Sequence, residues 1–153
     1  MHNINDNNEK EGNNLQIYNL ESKSIMKTIK VNSDILFWRW LDGHTIAYVT
    51  PFAVYHWSME GDAIPEEKFE VLPGQPQTQF ISYDSSKDGN WLSLQGIVQN
   101  AEIQQMEGVL KLYSVQHKRY QPTMNAFGGC FAEVTLSGRE SPCILFCFAR
   151  LET

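Results

Sequence analysis

The chain has 153 residues, 42% of them hydrophobic, and a formal net charge of −6 at pH 7. This length predicts one domain with its own hydrophobic core, and the negative charge disfavours non-specific binding to nucleic acid or anionic lipid, which attract basic surfaces. The sequence has no run of about 18 apolar residues and no hydrophobic segment after Met1, so we expect neither a membrane span nor a secretory signal, and a cytoplasmic location.

The first residues, Met1–Asn14, are dominated by asparagine and acidic residues and contain almost no apolar side chain. Such a segment cannot offset the entropy lost on ordering, so we expect a disordered leader. A folded region, residues 15–153, follows it. Apolar runs predict its first two strands at Leu15–Leu20 and Ile25–Val31, joined by a polar turn.

The most informative segment is Asp34–Gly61, in which three short apolar runs follow one another. They are rich in β-branched and aromatic residues, which favours strands, and they lie at Ile35–Leu41, Thr45–Thr50 and Ala53–Ser58. An Asp-Gly turn makes the first break and a proline the second. The segment predicts a small antiparallel meander, and its tryptophans predict packing in the core or against a neighbouring sheet.

After the meander, Gly61–Pro76 is acidic and contains three prolines, which predicts a long surface connection. The pattern then restarts. Polar stretches, including Gln99–Gly108, separate five further predicted strands, namely Gln79–Tyr83, Trp91–Gly96, Val109–Val115, Cys130–Leu136 and Cys143–Ala149.

The three cysteines lie in or beside apolar runs and have no second pair to complete a zinc site. We therefore expect reduced, buried cysteines, because free cysteine behaves as a small hydrophobe. No nucleotide-binding glycine pattern, nucleophile elbow or His-Glu metal pair occurs in the sequence. We expect no enzymatic activity, no cofactor and no metal.

Similar strands recur along the chain at intervals of about 40–50 residues, which is typical of solenoids and propellers. Opening strands begin near Leu36, Gln79 and Cys130, and each is followed by a polar turn and a second strand. Short antiparallel meanders of this period favour consecutive blades of a β-propeller. A plain β-sandwich is the alternative.

Several strings carry a resemblance to a known family. LQIYNLESKSIMK, LFWRWLDGHTIAYVT, AVYHWSMEGD, QFISY with WLSLQGI, LKLYSV and ILFCFA resemble, in that order and spacing, the N-terminal terminal domain of the clathrin heavy chain. The resemblance covers Gly12 to Ala149. It implies an all-β fold in which about three consecutive blades of a seven-bladed propeller are present.

The resemblance also implies a peptide-binding module that receives short motifs of adaptor and accessory proteins at coated pits and coated vesicles, in endocytosis and intracellular protein transport. Five positions here match the clathrin-box groove of the family, namely Asn14, Gln16, Tyr18, Lys23 and Ile25. In the same order, the family pattern has Thr, Gln, Phe, Lys and Lys. An extended acidic peptide needs amide donors, an apolar wall and a cation, and Gln16, Tyr18 and Lys23 are of these types.

Two further motif sites are implied. A second site matches Gln79 and Ile81, and a third matches His117 and Gln121, where the family has Arg and Gln. Without the resemblance, the three glutamines read as solvated strand positions and Lys23 as an ordinary turn residue. A further expected partner is the rest of a heavy chain, if this one belongs to a longer protein. We expect no binding to nucleic acid and no direct insertion into a membrane. The alternative function is that of a generic propeller scaffold without clathrin-box specificity, or of a truncated product without independent function.

Overall fold

The computed structural model describes residues 12–71 and 78–150. In these ranges the chain forms only β-strands and connections, which confirms the all-β prediction. The strands are β1 (Asn13–Asn19), β2 (Ser24–Val31), β3 (Phe37–Trp40), β4 (Thr45–Val49), β5 (Ala53–Ser58), β6 (Glu66–Glu70), β7 (Gln79–Ser85), β8 (Trp91–Asn100), β9 (Gln105–Ser114), β10 (Arg119–Tyr120), β11 (Gly128–Val134) and β12 (Cys143–Ala149).

Strands β1 and β2 form an antiparallel pair, here called the first hairpin, in a unit that ends at Ile35. Strand β1 begins at Asn13, two residues before the predicted run, because Asn13 pairs with Val31 and its side-chain amide donates to the Ser33 carbonyl at 3.1 Å. The rest of the predicted leader, residues 1–11, lies outside the described residues.

Sheet A contains strands β3, β4, β5 and β6 in sequence order, each antiparallel to its neighbour. The prediction gave three strands here and placed β6 in a surface connection. That part was wrong, because Glu66–Glu70 pairs with β5 and buries Phe69 between the half-buried Lys68 and the exposed Glu70. Residues 72–76 of the predicted connection lie outside the described residues.

Sheet B contains β7, β8, β9 and β10, again a four-stranded antiparallel meander. Its two central strands continue well past their predicted ends, because Asn100 pairs with Gln105 across a tight turn. The stretch predicted as a polar loop, Gln99–Gly108, is therefore mostly the end of a long hairpin. Its exposed position explains its polar sequence.

Sheets A and B pack face to face around one hydrophobic core. Sheet A supplies Ala47, Val49, Val54 and Phe69, and sheet B supplies Tyr83, Leu92 and Leu94, all nearly or completely buried. The Phe69 ring stacks on Tyr113 with ring centroids 4.9 Å apart, and Tyr120 meets both rings edge-on. This aromatic group joins β6, the outer strand of sheet A, to β9 and β10 of sheet B.

Strands β11 and β12 form a second hairpin, here called the cysteine hairpin, because it carries every cysteine of the chain. It is attached to sheet B by Gln95, whose buried side chain donates to the Gly129 carbonyl at 2.7 Å and accepts from the Gly129 N–H at 3.1 Å. Phe131 and Phe146 pack ring to ring across its two strands, 4.8 Å apart.

Two packing predictions were wrong in part. Trp57 is fully buried, but Trp38 and Trp40 are 54% and 40% exposed. They alternate along β3 with Phe37 and Arg39, which point toward sheet B. Likewise the cysteines are free but not in the core, since Cys130 and Cys147 are exposed and Cys143 is half-buried.

The arrangement of the sheets agrees with the prediction of propeller blades. Two complete four-stranded meanders follow one another along the chain, and a two-stranded pair lies on each side of them in sequence. In a sandwich with Greek-key connections the strand order within a sheet departs from sequence order. Here each sheet keeps sequence order, as propeller blades do.

Candidate functional site

The first hairpin brings four of the five predicted groove residues onto one exposed face. Asn14, Gln16 and Tyr18 are alternate residues of β1, so their side chains point the same way. Ile25 on β2 is the direct cross-strand partner of Tyr18. Tyr18 is 51% exposed and Ile25 is 55% exposed, so the two form an apolar surface that a ligand can reach.

A register shift creates that apolar pair. Ile17 pairs with Lys27, but Tyr18 pairs with Ile25, which leaves Met26 as the extra residue of a bulge. The buried residues Leu15 and Ile17 alternate with the exposed ones. Without the bulge, Tyr18 would face Met26 instead.

Lys23, the fifth residue, lies in the turn between the strands. The turn is held by Asn19, whose side-chain carbonyl accepts from the Glu21 and Ser22 N–H groups at 2.9 and 3.0 Å. Lys23 has a φ of 54°, a left-handed conformation that few non-glycine residues adopt. The turn thus presents an exposed ammonium group at the end of the same hairpin.

The residues of the second predicted site lie at the start of β7. Gln79 is exposed and Ile81 is 42% exposed. Ile81 is the bulged residue of this strand, because Phe80 pairs with Gly96 and Ser82 pairs with Gln95. Bulges redirect a side chain out of the regular alternation. The two side chains therefore form a small exposed patch, and no cavity described in this chain includes them.

The two residues of the third predicted site, His117 and Gln121, lie in different surroundings. Gln121 lines a cavity of about 240 Å³ between sheet B and the cysteine hairpin. The other lining residues are mainly apolar, namely Trp91, Leu112, Phe131, Ile144, Leu145 and Phe146. His117 lies in the exposed turn between β9 and β10, where its N–H donates to the Ser114 hydroxyl at 3.3 Å. The apolar cavity beside Gln121 was not predicted from the sequence.

A more polar cavity, of about 440 Å³, lies between sheets A and B. His56 and Lys68 line it from sheet A, and Ser86 and Lys87 line it from the turn between β7 and β8. His56 Nε2 is 2.8 Å from the Tyr83 hydroxyl. Burial, with a smaller contribution from the Lys68 charge, lowers the pKa of His56 to about 4, so the imidazole is neutral at pH 7.

Both cations of this cavity already have carboxylate partners. Lys68 pairs with Glu66 at 2.8 Å, and the pKa of Glu66 is lowered by that interaction. Lys87 pairs with Glu133 of the cysteine hairpin at 3.2 Å. These ion pairs therefore offset the positive charge that the two lysines bring to the cavity.

The part of the chain that the structure describes contains no helix long and apolar enough to cross a membrane. Within the same ranges, no three histidine, cysteine, aspartate or glutamate side chains are grouped so that they could hold a metal ion.

Comparison with known proteins gives a consistent result. No protein-family model matches the chain. Clathrin heavy chain 2 of Homo sapiens is 41% identical over 140 residues, which are 92% of this chain and 8% of that protein. The probable clathrin heavy chain 1 of Caenorhabditis elegans is 38% identical over 140 residues, and the clathrin heavy chain of Drosophila melanogaster is 38% identical over 135 residues. The chain spans 8% of the length of each of these relatives.

Proposed function

The chain is a homologue of the clathrin heavy chains, and we propose that it binds short linear motifs of adaptor and accessory proteins. In this proposal its blades belong to the terminal-domain propeller of a heavy chain. It works in the cytoplasm, on coated pits and coated vesicles, during endocytosis and intracellular protein transport. The role is one of binding rather than catalysis.

The exposed face of the first hairpin carries the proposal. An extended peptide has backbone amides, apolar side chains and, in a clathrin-box motif, carboxylates. The side-chain amide of Gln16 can bond to the peptide backbone, and Tyr18 and Ile25 form a continuous apolar surface for its apolar side chains. The ammonium group of Lys23 can pair with its carboxylates. We therefore assign a leucine-rich acidic peptide to this face, with its acidic end toward the turn.

The cavity beside Gln121 supports a second, weaker peptide contact. Its walls are aromatic and aliphatic, and Gln121 is the polar residue at its edge. Such a site fits one bulky apolar side chain of a peptide, with the glutamine amide as a hydrogen-bonding partner. The patch of Gln79 and Ile81 is smaller and is assigned the same kind of ligand.

Binding at the first hairpin is tested with the double variant Gln16→Ala/Lys23→Glu. We expect its affinity for a leucine-rich acidic peptide to fall by about 1–3 kcal/mol, or about 5- to 150-fold in Kd, because it loses an amide donor and a charged hydrogen bond. Isothermal titration calorimetry with the complete chain measures the change.

A matched control is Gln105→Ala/Arg139→Glu, which makes the same kinds of side-chain change at exposed positions outside the first hairpin. The control should bind like the unchanged chain. Equal affinities of both double variants would refute the site assignment. If the unchanged chain does not bind the peptide at all, the alternative of a scaffold without clathrin-box specificity is favoured instead.

A further inference from the structure

The three cysteines of the chain lie on one face of the cysteine hairpin. Cys130 on β11 is the direct cross-strand partner of Cys147 on β12. Both side chains are exposed, and both thiols are free. Cys143 lies on the same face four residues away along β12, where its cross-strand partner is Val134. The strand register therefore places two of the thiols directly opposite each other and leaves the third opposite a valine.

The hydrogen bonding of Gly129 shows which kind of pair the two cysteines form. The Gly129 N–H and carbonyl both bond to the Gln95 side chain, away from β12. In an antiparallel pair, a residue whose N–H and carbonyl point away from the partner strand has neighbours whose N–H and carbonyl groups point toward it. Cys130 and Cys147 are thus a hydrogen-bonded pair, with a Cα separation of about 5.5 Å. That value lies inside the range of about 4.4–6.8 Å between the Cα atoms of disulfides. The Cβ atoms of such a pair lie about 5.5 Å apart, beyond the usual separation of about 3.5–4.5 Å, so the two strands must approach slightly and the bond is easily reduced.

We propose that Cys130 and Cys147 form a redox-active dithiol site that is oxidised to a cross-strand disulfide by a low-molecular-weight disulfide such as oxidised glutathione. One cysteine thiolate attacks a glutathione sulfur, which forms a mixed disulfide and releases one glutathione thiolate. The second cysteine thiolate then attacks the protein-bound sulfur and releases the other. Two electrons pass to glutathione, and the two protons given up by the thiols are taken up by the two glutathione molecules released.

The bond would connect two strands that form a wall of the cavity beside Gln121. Phe131 and Phe146 are the next residues along the two strands, and both line that cavity. Because successive residues of a strand point to opposite faces, the disulfide would form on the face of the hairpin opposite to Phe131 and Phe146. The disulfide would hold β11 and β12 together, so the cavity wall that these strands form would keep its position. The consequence for peptide binding rests on the proposed function, but formation of the bond does not.

The test treats the complete folded chain with oxidised glutathione and measures its mass and its free thiols. We expect the loss of two hydrogen atoms, one remaining thiol, and no bound glutathione at the end point. Trypsin should then release 120–139 linked to 140–150, because Arg139 lies between the two cysteines in the sequence. Dithiothreitol should restore three thiols.

Single serine variants identify the partners. Cys143→Ser is the matched control and should form the same bond as the unchanged chain. Cys130→Ser and Cys147→Ser should each stop at a protein-glutathione mixed disulfide, and alanine variants at both positions should do the same. A bond between Cys143 and Cys147, a disulfide-linked dimer, or stable glutathione on both Cys130 and Cys147 would overturn the proposal.

Thermal unfolding gives a second readout that does not depend on peptide binding. Sixteen residues lie between Cys130 and Cys147, so oxidation should raise Tm by at most about 6–12 °C in the unchanged chain and in Cys143→Ser. The Cys147→Ser variant should show no such rise. An unchanged Tm after full oxidation would mean that the bond does not join the strands in their native register.

Discussion

Replacing Tyr83 by alanine should lower the free energy of unfolding by about 3–5 kcal/mol, as expected for truncation of a buried aromatic residue to alanine. Tyr83 is fully buried where sheets A and B meet. Its ring lies edge-on to His56 and near Phe69, so removal leaves a cavity bordered by both sheets. Urea unfolding followed by circular dichroism measures the loss. A change of that size is a large fraction of the stability of a small domain.

The matched variant Tyr83→Phe separates packing from hydrogen bonding. It keeps the ring and removes only the hydroxyl that contacts His56, so we expect a loss of about 1 kcal/mol. The carbonyl of residue 83 still accepts from Arg39 Nη1 in both variants, because it belongs to the backbone. If Tyr83→Ala costs no more than Tyr83→Phe, the junction of the sheets does not depend on this ring, and the described core is wrong at that point.

The strands that sequence patterns predicted best are those in which apolar residues are contiguous. Ala53–Ser58 was predicted with the bounds that the structure shows, and so was Cys143–Ala149. Strand β6 was missed because four of its five residues are charged and only Phe69 is buried. A single inward residue gives no periodic signal, and the strand forms because β5 offers it a pairing edge.

Sequence patterns also predict only part of the candidate sites. The alternation of Asn14, Gln16 and Tyr18 along a strand follows from the sequence. The pairing of Tyr18 with Ile25 depends on a bulge at Met26, which local composition does not predict. Contacts between distant residues, such as His56 with Tyr83, arise from the packing of two sheets and have no local signature.

Burial of the cysteines was predicted wrongly for a related reason. CFAEVTL and CILFCFA read as core strands because they are apolar, but each has only one face packed against sheet B. The face that carries Cys130 and Cys147 is exposed. An apolar run in a half-covered strand therefore predicts the strand correctly and the burial of its alternate residues incorrectly.

The second large effect is expected on acidification. The pKa of His56 in the folded chain is about 4, below its ordinary value of 6.5, because burial disfavours the imidazolium. Between these two pH values the unfolded chain binds the proton more readily, so the stabilising contribution is complete above pH 6.5 and is lost as the pH falls toward 4. We expect the unchanged chain to lose about 2–3 kcal/mol of unfolding free energy from this source between pH 7.5 and 4.5.

The control for this loss is His56→Gln, which keeps a hydrogen-bonding partner for the Tyr83 hydroxyl but cannot titrate. Other groups near the cavity, including Asp42 and Glu66, have lowered pKa values and contribute to acid sensitivity in both proteins. The informative quantity is therefore the difference between the two urea-unfolding series as the pH is lowered. The unchanged chain should lose about 2 kcal/mol more than His56→Gln. Parallel curves would show that His56 is not held neutral by its position between the sheets, and that water reaches the cavity freely enough to solvate the imidazolium.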